Sequence, residues 1–140
     1  MLKPTENKVV LDGSALLALL RGEPGADLVR TALPWAEMSA VNISECVAKL
    51  ADLGMRDELI TSRIEELKLD IVPFDAHIAY RASFLRPKAR DSGLSLGDRA
   101  CLATAMGHSL TVLTADQRWR SLSLTVRVVV IREHEVISGN

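Results

Sequence analysis

The sequence predicts an α/β domain built on a parallel sheet covered by helices on both faces. Three observations predict it. Short strand-like runs alternate with helical segments along the whole 140-residue chain. Runs such as KVVL and LTVLT are continuously apolar rather than alternating, as strands buried on both faces require. Gly, Pro and the Asp12-Gly13 pair fall between segments, where parallel crossovers need turns.

Lys8–Leu11 reads as the first buried strand, ended by the turn formers Asp12-Gly13. Ser14–Arg21 (SALLALLR) is apolar nearly all round and reads as a buried helix stopped by Gly22. Pro24 suits the first turn of a second helix over Glu23–Leu33. Ala36–Met38 is a short strand. Ser39 caps a helix running to Leu53, with Gly54 placed to end it. A helix over Arg56–Leu67 leads to the strand LDIVPF, which ends near Pro73. Asp75–Arg90 reads as a helix that Pro87 stops or kinks. Ser95 opens the helix SLGDRACLATAMGH. The strand LTVLT, the short helix ADQRWRSL and the strand TVRVVVIR complete the chain. One domain over 1–140 is expected, with its core at 8–132 and a polar extension at 1–7.

Composition narrows the function classes. The chain is 48% hydrophobic and 25% charged, as globular domains are. Net charge is −1, from 17 basic and 18 acidic residues, so no overall cationic field suits a high-affinity DNA module. An enzyme that meets RNA at a local site remains compatible with it. Cys46 and Cys101 sit in apolar surroundings and read as buried thiols, without a CxxC or Cys/His cluster for zinc. The start MLKPTENK does not resemble a signal peptide, and no apolar run has the ~18 residues of a membrane span. A cytoplasmic protein without a membrane partner is expected.

Parallel α/β sheets bind ligands beyond the carboxyl ends of their strands. Two strand ends here carry an acid and a hydroxyl: Asp12 with Ser14, and Asp116 with Thr114. Each acid has a structural reading beside the chemical one. Asp12 can cap the next helix. Asp116 can complement a helix dipole, with Thr114-x-x-Gln117 as a capping box. Ser95-x-x-Asp98 fits a helix start, yet the helix that follows is so apolar that Asp98 and Arg99 are the only charges at its mouth. Glu45 falls in one polar wedge with Asn42, Lys49 and Asp52, as a solvated helix face would show. Taken together, the four acids are plausible neighbours at one sheet edge. Two carboxylates ~4 Å apart repel by about 4 kcal/mol at an effective dielectric near 20, so a cluster calls for protons or cations. All-oxygen ligands favour Mg²⁺ or Mn²⁺ over zinc.

The segments VVLDGSALLALLRGEPGADLV, SAVNISECVAKLADLGM, SLGDRACLATAMGHSLTVLTADQRW and VRVVVI resemble PIN-domain ribonucleases, above all the VapC-like toxins of type II toxin–antitoxin pairs. The resemblance spans about Lys8–Arg132. Any one motif is unspecific; four in order are not. It implies a sheet in the order 3-2-1-4-5. It also implies that Asp12, Glu45, Asp98 and Asp116 are catalytic and metal-binding, with Ser14, Asn42 and Thr114 in support. The implied activity is metal-dependent hydrolysis of an RNA phosphodiester by a metal-activated water. The implied partners are an RNA substrate, a small antitoxin lying along Ser14–Leu33 and a second copy in a homodimer.

Arg99 and Arg118, beside two of the acids, are candidates for RNA phosphate contacts or for ion pairs with those neighbours. Trp119 either stacks on a base or packs its short helix onto the sheet. His77, His108 and His134 lie outside the motifs and read as surface or structural residues. A haloacid-dehalogenase phosphatase would want an acid where Ser14 stands, and a receiver domain would want a lysine far downstream of LTVLT. The rival from another class is a PIN-like module that binds RNA or protein without cutting, or that is not a toxin at all.

Overall fold

A computed structural model describes residues 8–86, 93–108, 111–122 and 125–132. Its five strands are β1 (Val9–Leu11), β2 (Ala36–Ser39), β3 (Asp70–Val72), β4 (Thr111–Thr114) and β5 (Arg127–Val130). They form one parallel sheet in the order β3-β2-β1-β4-β5, as expected. The helices are α1 (Gly13–Arg21), α2 (Ala26–Ala32), α3 (Ala40–Asp52), α4 (Asp57–Glu66), α5 (Ala76–Phe84) and α6 (Leu96–His108).

The apolar runs are continuous because successive strand residues enter different cores. Val10 and Val112 point into a cluster with Ala82, Cys101, Leu102 and Trp119. Their neighbours Leu11 and Leu113 point the other way, among Leu16, Leu19, Val29 and Met38. Leu17 and Leu20, partly buried, pack against that second cluster and also on Leu50, Ile60 and Ile64 between α3 and α4. α1 is apolar nearly all round because two cores claim it.

Several boundaries move for identifiable reasons. α2 begins after Gly25, whose φ of 95° is left-handed, so Pro24 lies in the preceding turn rather than in the helix. The Thr114-x-x-Gln117 capping box does not form. Asp116 itself caps a 3-10 turn, Gln117–Ser121, by accepting from the Arg118 amide, while Gln117 Nε2 donates to the Arg132 carbonyl. The helix expected to begin at Asp75 begins at Ala76, with Asp75 as its cap, and closes at Phe84; residues 87–90 of the expected Asp75–Arg90 helix, Pro87 among them, lie outside the described residues. The segment 1–7, His134 and the side chain of His108 also lie outside them. Cys46 and Cys101 are buried free thiols. No helix among the described residues is long and apolar enough to cross a membrane.

The end of β5 is fastened to the α1–α2 turn. A Cβ at Gly25 would lie 2.7 Å from Ile131 Cγ1 and 2.9 Å from its carbonyl oxygen, whereas a Cβ at Gly22 (φ 65°) would meet nothing within 4 Å. Gly22→Ala is therefore expected to cost only the left-handed penalty, about 1–2 kcal/mol. Gly25→Ala adds a clash and is expected to cost about 2–4 kcal/mol. Urea unfolding of both variants checks the difference; equal losses would mean that Gly25 does not carry the β5 contact.

Candidate active site

The parallel register brings Leu11 level with Leu113 and sets the first residues beyond β1 and β4 side by side. Asp12 follows β1 directly and is only 5% exposed. One carboxylate oxygen, Oδ1, accepts from the Ala15 amide at 2.9 Å and from Ser14 Oγ at 2.7 Å. The other, Oδ2, accepts from Thr114 Oγ1 at 2.5 Å. The two hydroxyls accept in turn: Ser14 Oγ from the Ala115 amide and Thr114 Oγ1 from the Asp116 amide. A hydroxyl has one proton and two lone pairs, so each of these is oriented by what it accepts and spends its proton on Asp12.

None of those Asp12 partners is a cation. Burial pushes its carboxyl up to about 6; the hydrogen bonds from Thr114, Ser14 and Ala15 pull downward, and the negative charge of Asp98 adds to the upward push. Asp98 stands at the mouth of α6 in the expected capping box. Its Oδ2 accepts from the Ser95 amide at 3.0 Å, and Ser95 Oγ accepts from the Asp98 amide at 3.2 Å. Asp116 makes a two-pronged pair with Arg118, at 2.7 Å from Nη2 to Oδ2 and 3.0 Å from Nε to Oδ1. That guanidinium holds the Asp116 carboxyl below its ordinary value.

Glu45 projects from α3 toward the start of α6. Asn42, one turn earlier, is not part of a solvated face: it is 2% exposed. Its Nδ2 donates to Glu45 Oε1 at 3.1 Å and to the Gly97 carbonyl at 3.0 Å, while its Oδ1 is buried without a partner among the described residues. Lys49 and Asp52 keep the exposed positions expected of them.

The two buried thiols register the gathered charge. Burial, then the fields of Asp12 and Glu45, push Cys46 up to about 12. Cys101 is driven up by burial and by Asp12, Asp98 and Glu45. Three acids from three elements therefore act on one region. They do not close on a point: among the described residues no three His, Cys, Asp or Glu side chains are arranged to hold one ion. Asp116 is turned onto Arg118, and Glu45 lies over Gly97. The donor chemistry still suits a hard divalent cation: among the described residues there are carboxylates, hydroxyls and an unpartnered amide oxygen, with no imidazole beside them.

Of the other expected residues, Arg118 takes the ion-pair role. Arg99 turns away from the acids and donates from Nη1 to the Ala82 carbonyl on α5. Trp119 is 1% exposed and packs in the core. His77 is exposed, beside Arg81. Gly97 was not among the expected site residues; the sequence signal was a glycine next to an acid at a helix mouth.

Because the Asp12 carboxyl titrates higher in the folded chain than in the unfolded one, the folded state binds that proton more tightly. Its charge then costs stability above pH 6, on the order of 3 kcal/mol, and the cost fades as pH falls toward 4. Asp12→Asn should remove this contribution. In EDTA, the variant is expected to be more stable than wild type at pH 7.5, with the gap shrinking by pH 5. Urea titrations at the two pH values test it, and a pH-independent gap would contradict the burial account.

Comparison with known proteins places this geometry. The PIN domain family matches residues 9–123. A toxin–antitoxin complex from Klebsiella pneumoniae contains a chain 21% identical to this one, with a TM-score of 0.69, over 91% of this chain and 100% of that one. FitAcB from Neisseria gonorrhoeae is 25% identical (TM-score 0.63), over 86% of this chain and 95% of that one. VapBC-1 from nontypeable Haemophilus influenzae is 17% identical (TM-score 0.67), over 88% and 97%. No curated protein matches.

Proposed function

Because this chain belongs to the PIN domain family, we propose that it is a divalent-metal-dependent endoribonuclease and the toxin of a type II toxin–antitoxin pair. The observation that carries the reading is Asp12. A carboxylate buried at the end of the central strand, with hydroxyl and amide partners and no cation among the described residues, next to a second acid whose charge it feels, is costly for a fold to keep. A function for that charge accounts for it.

Asp12, Asp98 and Asp116 would hold the metal, and Glu45 would hold it or a water bound to it. When bound, a Mg²⁺ or Mn²⁺ ion supplies a water of lowered pKa and neutralises charge on the phosphodiester. The remaining work belongs to the chain. Ser14 and Thr114 orient the Asp12 oxygens, fixing where its free lone pairs point. Arg118, exposed and paired with Asp116, is the cation best placed to take an RNA phosphate. Arg99 is committed to Ala82 and is left out of that role.

The partner assignment draws on the neighbours, several of which are toxin–antitoxin complexes. We place the antitoxin along α1 and α2, where Leu28 is 42% exposed and Trp35, in the turn that follows, 38% exposed. A cytoplasmic homodimer completes the proposal.

Purified protein should cleave RNA with Mg²⁺ or Mn²⁺ and stop in EDTA. Asp12→Asn and Asp98→Asn should each lower cleavage by at least about a hundredfold with the circular dichroism of wild type; Ser14→Ala and Thr114→Val should lose about ten- to a hundredfold. Cleavage that persists in EDTA, or in Asp12→Asn, sinks the metal reading. For the partner, co-expression with the adjacent reading frame should relieve growth inhibition and yield a co-purifying complex. A protein harmless alone and indifferent to that neighbour is a PIN module of another kind.

A further inference from the structure

We propose that Gly97 is a positioning residue of the acid site: its missing side chain leaves the seat in which the Glu45 carboxylate rests, and Asn42 ties that carboxylate to it. The proposal rests on the reading of Glu45 as a metal-site acid. A Cβ built on Gly97 would lie 2.2 Å from Glu45 Oε1, 2.4 Å from Oε2 and 2.5 Å from Cδ. Ordinary contact begins near 3.4 Å, so the carboxylate occupies the volume that any other residue would fill. No left-handed backbone explains this glycine, since Gly97 is not among the residues of positive φ. The helix itself would prefer alanine.

Asn42 completes the seat. The two protons of its amide go to Glu45 Oε1 and to the Gly97 carbonyl, so one side chain bridges α3 and the mouth of α6 at the point of contact. The amide cannot turn over, because its oxygen would then face a carboxylate and a carbonyl. That arrangement leaves Oδ1 buried and, among the described residues, unpartnered, which a fold does not maintain without cause. The cause we assign is the placement of Glu45 beside Asp98, the next residue after Gly97.

The atom in the way is the far end of a flexible side chain, so Gly97→Ala moves the carboxylate by about 1 Å without disturbing the backbone. It displaces an acid without deleting it. The test is a cycle of Gly97→Ala, Glu45→Ala and the double variant, read by Mn²⁺ titration calorimetry and by melting temperature without metal. Gly97→Ala should weaken Mn²⁺ binding about tenfold at a melting temperature close to wild type. Glu45→Ala should weaken it at least as much, and the double variant no further. A Gly97→Ala protein with wild-type affinity, or losses that add in the double variant, overturns the seat. Should Gly97→Ala fail to fold, a folded double variant still assigns the clash to Glu45, and an unfolded one overturns it. Wild-type affinity in Glu45→Ala fails differently, by removing Glu45 from the metal site altogether.

Discussion

Everything at the carboxyl edge of the sheet is organised around one buried carboxylate. Asp12 sits where the central strand ends, and its neighbours on both sides of the β1–β4 seam are the hydroxyls that solvate it in place of water. Those hydroxyls are fixed by backbone amides of the β4 exit, so the polar seam is continuous with the strand ladder. A buried polar network is rigid where its members are satisfied. Three donors converge on the Asp12 oxygens, and the position of Thr114 across the sheet is what allows the third. The burial that makes this network rigid is also what raises the Asp12 carboxyl to about 6.

That constraint explains which parts of the molecule were legible in the sequence. The sheet was legible because buried parallel strands leave continuous apolar runs, and Leu11 and Leu113 behave as that rule requires. The four acids were legible as points on strand ends and helix starts. Their surroundings were not. Asn42 looked like one member of a solvated stripe because helical periodicity describes a helix alone. It became buried only when α6 crossed α3 and offered it a carbonyl at Gly97. Thr114 matched a capping box by spacing, but Asp116 caps that turn, and the Thr114 hydroxyl accepts from the Asp116 amide while donating across the sheet to Asp12. Arg99 was adjacent to Asp98 in sequence and faces the other way in space, toward α5. In each case a partner distant along the chain decided the role of the side chain.

The acids cap as well as gather, and the two roles do not compete. Asp12 caps α1, Asp98 closes the capping box of α6, and Asp116 caps the 3-10 turn after β4. Ser39 caps α3 at the same edge. A carboxylate has about four lone-pair positions, so one or two bonds to amides leave the rest directed elsewhere. Parallel topology makes this possible: every strand exits at one edge, so the helices that follow begin there, with their unpaired amides and positive dipole ends aimed at a common region. Helix starts can therefore assemble a negative cluster that would be far more costly among helix C-termini. Each aspartate fills its structural role as a cap in this fold, and the same placement at one sheet edge is what the proposed metal-binding role requires of it.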